Sequence, residues 1–254
     1  SFFKDLANHC SEYKGADPAK SLLQLGGTAV MFFAGVAAMI WAVQSGAWLA
    51  YALLLLPVSG LLVRIFIIQH GCGHGSYFNT QKYNKLVGRL LSVLTWTPFD
   101  FWRRTHNMHH AASGNLDKRG YGAIETITVK EFQSFSKSKQ AFYRFYRNAY
   151  LLLGVGTPLF VIGVQRFLVT EPFLPELARQ ANFKDAWKSI YGLNVALLVV
   201  FGLAGYFIGY GTLAIVYLPI LVITAQIGGW LFYIQHQFEE TLWDKQENWS
   251  YNEA

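Results

Sequence analysis

Residues 21–43 read SLLQLGGTAVMFFAGVAAMIWAV, a run without one charged side chain. At about 1.5 Å per residue, a helix of this length crosses a hydrocarbon core of about 30 Å. A backbone placed in lipid must satisfy its own N–H and C=O groups, and a single chain of such runs does so as helices. A second apolar run covers residues 47–68 and carries one charge, Arg64, which near a helix end can reach the interface. Two more follow at residues 190–210 and 212–233. The expected fold is an all-α integral membrane protein with four transmembrane helices arranged as two hairpins.

Charge placement orients these hairpins. Their turns, around Gln44, Ser45 and Gly46 and around Gly209, Tyr210 and Gly211, contain no lysine or arginine. Residues 69–148 hold the basic cluster, from Lys82 to Arg147, so the positive-inside tendency puts this stretch in the cytoplasm as a helical cap. Both termini then lie on the cytoplasmic side, at a bacterial inner membrane or its equivalent. Residues 149–167 are apolar but contain Gly154, Gly156, Pro158 and Gly163. A crossing there would also carry His236 to the side opposite the other histidines, so this segment is expected to lie at the interface.

Composition agrees with a partly lipidic solvent. Charged residues are 14% of the chain, well under the roughly 25% of soluble proteins, and aromatics reach 17%. Two cysteines, Cys10 and Cys72, exclude a disulfide framework. The net charge of +6 sits in the cap without a phosphate-binding glycine pattern, so membrane contact explains it and nucleic acid is not expected as a partner. Neither repeats nor linkers divide the chain, and residues 1–254 read as one domain. The first twenty residues are polar and lack a cleavable signal. Ser1 and Ala254 do not read as natural termini, and the chain is expected to be part of a longer protein.

Six of the seven histidines gather at the cytoplasmic ends of spans or in the cap. His70 and His74, in QHGCGH, are four apart, so a helix presents both on one face. His106, His109 and His110, in HNMHH, share a helical face in the same way, and His236 follows the fourth span. Neutral imidazole binds iron, copper, zinc or nickel, and two such groups on neighbouring helices have the donors for two ions. At the membrane surface, such a site is open to the bilayer on one side and to the cytoplasm on the other. A zinc protease would carry HExxH, but Gly71 follows His70, and the Glu-x-x-His pattern of soluble carboxylate sites is missing. His9 reads as an ordinary polar anchor and Cys72 as a packing residue. Arg103 and Arg104 read as surface anchors, or as contacts to a lipid phosphate or an acidic partner.

The stretches QHGCGHGSYF (residues 69–78), TWTPFDFWRRTHNMHHAASGNLDKRG (residues 95–120) and WLFYIQHQFEETLW (residues 230–243) resemble the membrane fatty acid desaturases, in the bacterial and cyanobacterial acyl-lipid branch. The resemblance covers nearly the whole chain. It implies two iron ions held by His70, His74, His106, His109, His110 and His236, with O2 as co-substrate. It also implies a membrane lipid or acyl substrate and a small electron donor such as ferredoxin or a cytochrome b5-like protein. The reaction implied is insertion of a cis double bond; the related alternatives are an acyl or alkane hydroxylase and a carotenoid ketolase. A membrane metal transporter or sensor is the alternative of another class. Asp100, Asp117, Glu239 and Glu240 are candidates to orient the imidazoles. The chain departs from the family at Gly71, where an acid is usual, and in lacking a third HxxHH group, which is expected beyond Ala254.

Overall fold

The computed structural model describes residues 2–11, 15–119, 126–167, 185–236, 239 and 241–250. Among them, regular structure is helical, and the one extended pairing is an isolated parallel bridge between Asn115 and Asp244. Helix α1 (Phe2–Ser11) precedes α2 (Pro18–Ser45). Asp17 starts α2, its carboxylate accepting the N–H groups of Ala19 and Lys20 at 3.0 and 3.2 Å, with Pro18 at the first helical position. Gly46, at φ 74°, supplies the left-handed residue that ends α2. Helix α3 (Trp48–His74) then packs closely on α2: a Cβ on Gly35 would lie 2.6 Å from Val58.

Among the described residues, five helices are long and apolar enough to cross a membrane: α2, α3, α8 (Ala149–Arg166), α9 (Ala186–Ile208) and α10 (Tyr210–His236). Four correspond to the expected spans, and two outrun them. The second was expected to stop at residue 68 but continues to His74, and the fourth continues to His236. Both extensions carry histidines on continuous helix. The fifth, α8, is the segment expected at the interface. Its winding is broken, with a π-helical turn at Leu152–Gly156 and a 3-10 turn at Val164–Arg166. It packs on α10, where Gly229 leaves room for Thr157 and the Gln226 amide donates to the Gly154 carbonyl at 3.0 Å.

Between the apolar helices lie α4 (Gln81–Thr95), α5 (Phe99–Ala111), α6 (Val129–Ser134) and α7 (Lys137–Tyr146). The apolar core joins Phe32 and Met39 of α2, Val58, Leu62 and Ile65 of α3, Leu91 of α4, and Val216 and Ile220 of α10. Leu23, Leu49, Leu198 and Phe207 point outward with three-quarters or more of their surface free. In water so many exposed apolar side chains would be costly, whereas in lipid they meet their own kind. The protein is an integral membrane protein on this pattern of apolar helices.

Buried polar groups fix the junction of α3, α4 and α5. Gln69 of α3, fully buried, accepts from the Thr95 hydroxyl at 2.6 Å and donates to the Thr97 carbonyl at 3.4 Å. Asn84, also fully buried, exchanges two hydrogen bonds with the Phe78 backbone at 2.7 and 2.9 Å. Each bond removes the penalty of an unsatisfied buried amide, about 1–3 kcal/mol. At the elbow between α4 and α5, Trp96 takes φ 55°, and its ring packs on Phe201 and Tyr217. Arg166, at the end of α8, donates to the Trp96 carbonyl and is bonded to Asn194 of α9. The elbow is thereby tied to two further helices.

Candidate metal centre

Helix α5 is the element that assembles the site. Its first turn is held by Asp100, which pairs with Arg89 of α4 at 2.7 Å, and by the Phe101 N–H, which donates to Ser189 of α9 at 3.1 Å. Gly88 lets the two cap helices meet, since a Cβ there would lie 2.2 Å from the Phe99 ring. Arg103 reaches across to α3 and donates from Nε to the Gly73 carbonyl at 3.0 Å. Trp102 lies flat on the His106 ring, 4.6 Å between centroids and 15° between planes, and meets Phe66 and His70. With α5 so fixed, the HNMHH residues face the end of α3.

Four imidazoles from these two helices converge. The Nε2 atom of His106 lies 2.7 Å from that of His70, 3.2 Å from that of His74 and 3.0 Å from that of His110. His70 and His74 are 3.2 Å apart by the same atoms, and the ligand nitrogens of all four lie within 4.8 Å of one another. One ring nitrogen cannot serve three imidazole partners by hydrogen bonding, because a neutral ring offers one donor and one acceptor. Nitrogens turned on one point are instead a cation's donor set. Two nitrogens bound side by side to one ion at about 2.1 Å lie about 3 Å apart, so the observed spacing fits a first-row metal.

A second pair adjoins this group. His109 of α5 is buried, and its Nε2 lies 2.7 Å from that of His236 at the end of α10. The Nδ1–H of His236 donates to the Phe232 carbonyl at 2.8 Å, which leaves Nε2 as the lone-pair nitrogen facing His109. The His109 ring is 5.6 Å from that of His110 and 6.2 Å from that of His106, so the two groups share the face of α5.

All six expected histidines thus come together, four in one cluster and two beside it, while His9 is exposed on α1 and outside both. Cys72 is buried against Phe78 and Phe99, a packing residue. Of the four acids expected to orient the imidazoles, two are engaged elsewhere. Asp100 is held by Arg89, Asp117 accepts the Gln246 N–H at 2.9 Å, Glu239 is exposed, and Glu240 lies outside the described residues. Residues that reading by motif passed over, Gln69, Asn84, Asn115 and Arg166, are buried polar groups whose signal in the sequence is their rarity among apolar neighbours.

Burial governs the protonation of the α5 histidines. Desolvation, followed by the charges of neighbouring imidazoles, pushes His106 down to about 2 and His109 to about 4, and lowers His110 as well. All three are held neutral near pH 7, the form in which imidazole binds a metal.

Residues 46–253 match the family model described as fatty acid desaturase. A fatty acid desaturase of Bacillus subtilis (strain 168) is 35% identical over 251 residues, which is 99% of this chain and 68% of that protein. The sn-2 acyl-lipid omega-3 desaturase (ferredoxin), chloroplastic, of Arabidopsis thaliana is 33% identical over 85 residues, 32% of this chain and 19% of its own. An sn-1 acyl-lipid omega-3 desaturase (ferredoxin) of Synechocystis sp. is 34% identical over 70 residues, covering 28% and 20%. No solved structure matches. With most of its length matched by the family model and nearly all of it aligned to the Bacillus protein, the chain belongs to the fatty acid desaturase family of oxidoreductases.

Proposed function

We propose that this protein inserts a cis double bond into a lipid-linked or thioester-linked acyl chain, using O2 and two iron ions held by histidines. The observation that carries this reading is the convergence of four Nε2 atoms, from His70 and His74 at the end of apolar α3 and from His106 and His110 on α5. These four would hold one iron. His109 and His236 would begin the set for the other, with further ligands from a third HxxHH group outside residues 1–254. Iron bound there supplies, with O2, the oxidant that removes two hydrogens from adjacent methylenes.

The chain's own groups do the positioning. Trp102 fixes the plane of His106 by stacking, Arg103 pins α5 to the end of α3, and the Phe232 carbonyl sets the tautomer of His236. Apolar helix faces accept the acyl chain from the bilayer while keeping water from the buried His109. On the proposed topology the histidines and both ends of the chain face the cytoplasm, where a small donor such as a ferredoxin or a cytochrome b5-like protein delivers electrons. Two of the relatives carry ferredoxin in their names, which supports that class of donor.

The test is product analysis. Membranes holding the full-length protein are given a saturated acyl lipid, O2 and a reducing system, and the lipid is weighed by mass spectrometry. Loss of two hydrogens is the expected result. Gain of one oxygen would replace this reading with a hydroxylase. Unchanged lipid alongside metal uptake into vesicles, without reductant, would favour a transporter.

A further inference from the structure

Helix α5 packs mainly on α3, α4 and α9. Its link to α10 at the site is the His109 ring, which meets Phe232 and His236 with centroids 5.4 and 4.5 Å away. Imidazoles from two different helices are thus brought to 2.7 Å.

The chain joins itself beyond both histidines, with residue 113 four past His109 and residue 244 eight past His236. Residues 113–118 follow the end of α5, and residues 244–249 follow the end of α10. The Leu116 N–H donates to the Asp244 carbonyl at 2.8 Å, and the Asp244 N–H donates to the Gly114 carbonyl at 3.0 Å. The Gln246 N–H donates to Asp117 at 2.9 Å, and the Trp249 indole N–H to the Ser113 carbonyl at 2.9 Å. Asn115 sits at the centre, fully buried. Its Oδ1 accepts the N–H groups of Asp117 and Lys118 at 3.0 and 3.2 Å, and its Nδ2 donates to Gln246 at 3.0 Å. A run of backbone bonds, Ala112 N–H to His109 and Asn115 N–H to Ala112, both 3.1 Å, carries this fixed point back to His109.

We infer that residues 113–118 and 244–249 form a clamp that holds His109 against His236, with Asn115 as its positioning residue. Asn115 shapes the turn with its carbonyl oxygen and grips the second segment with its amide nitrogen, so one side chain couples the ends of α5 and α10. Opening the clamp leaves the four-histidine cluster intact, because His70, His74, His106 and His110 come from α3 and α5 alone. The inference rests on the proposed metal-binding role of the histidines.

The experiment reads metal loading and amide exchange rather than turnover. Full-length protein is stripped of metal and titrated with Fe(II) without oxygen, and metal per chain is measured. Hydrogen exchange is followed at Leu116 and Asp244. Wild type is expected to load two ions with slow exchange, and His236→Ala to lose one ion while exchange stays slow. In Asn115→Ala, exchange should become fast and affinity at the second site should fall about 10–100-fold, the usual effect of losing an outer contact to a metal ligand. Asn115→Asp should restore much of both, since the Gln246 amide can turn to donate to the new carboxylate. Asp244→Pro, which removes the donor to Gly114, should behave like Asn115→Ala. Fast exchange with wild-type affinity at both sites would overturn the clamp, as would slow exchange in both Asn115→Ala and Asp244→Pro. Absence of metal from the wild type would instead bring down the functional reading and this inference together.

Discussion

His109 is buried, neutral and 2.7 Å from His236, so on the proposed function its replacement removes an iron ligand. His109→Ala should lower product formation by more than about a hundredfold, beyond the range that loss of an outer hydrogen bond causes, with the protein still folded in membranes. Retained turnover would count against its place in the site. Two glycines make a contrasting pair. A Cβ at Gly88 meets the buried Phe99 ring at 2.2 Å, so Gly88→Ala should destabilise by about 1–3 kcal/mol, read as a lower thermal midpoint. A Cβ at Gly71 meets Tyr77 at 3.5 Å, an ordinary contact, so Gly71→Ala should be neutral or stabilising by up to about 1 kcal/mol. Sterics therefore do not explain why glycine stands where the family usually has an acid. At this scale the histidines were legible, because their spacing along a helix is their signal. The partners of Asp100 and Asp117 were not, because Arg89 comes from α4 and Gln246 from the segment after α10.

The element that matters most is α5, and its chemistry gives a pH dependence. His106 and His109 have folded values of about 2 and about 4, below the ordinary value of 6.5 that they regain on unfolding. Above that value both states are neutral and nothing changes. Below it the unfolded chain binds protons that the folded chain refuses, so stability falls with pH through the window from 6.5 down to about 4 for His109. Glu131, held down to about 2 chiefly by Arg119, acts in the same direction at lower pH. The metal-free protein should therefore show a lower thermal midpoint at about pH 5 than at about pH 7, and an unchanged or higher one would contradict the burial of α5. Four apolar runs could be read as helices from their length and lack of charge. The extension of α3 from residue 68 to His74 could not, since apolarity stops at the interface while the hydrogen-bonded helix continues. The elbow at Trp96 was equally hidden, because a left-handed tryptophan is stabilised by Phe201, Tyr217 and Arg166 from distant helices.

At the scale of the whole molecule, the outward apolar belt and the histidines at helix ends make one statement about orientation. The chain carries a probe for it: Cys10 on α1 is exposed, whereas Cys72 is buried. If the termini face the cytoplasm, a membrane-impermeant thiol reagent should label Cys10 in inverted vesicles and spare it in intact cells. The reverse pattern would turn the protein over. In the sequence the basic stretch of residues 69–148 is the one signal for orientation, whereas the packing of α8 is set by Gly229 and Gln226 of α10 and by the anchorage of Arg166, which no motif marks. The central claim is that these histidines hold a pair of iron ions. The measurement that meets it most directly is the iron content per chain of the full-length protein purified from membranes, with His106→Ala in parallel. The account predicts close to two irons in the wild type and a clear loss in the variant; a wild type with none, or a variant that keeps its full complement, would contradict it.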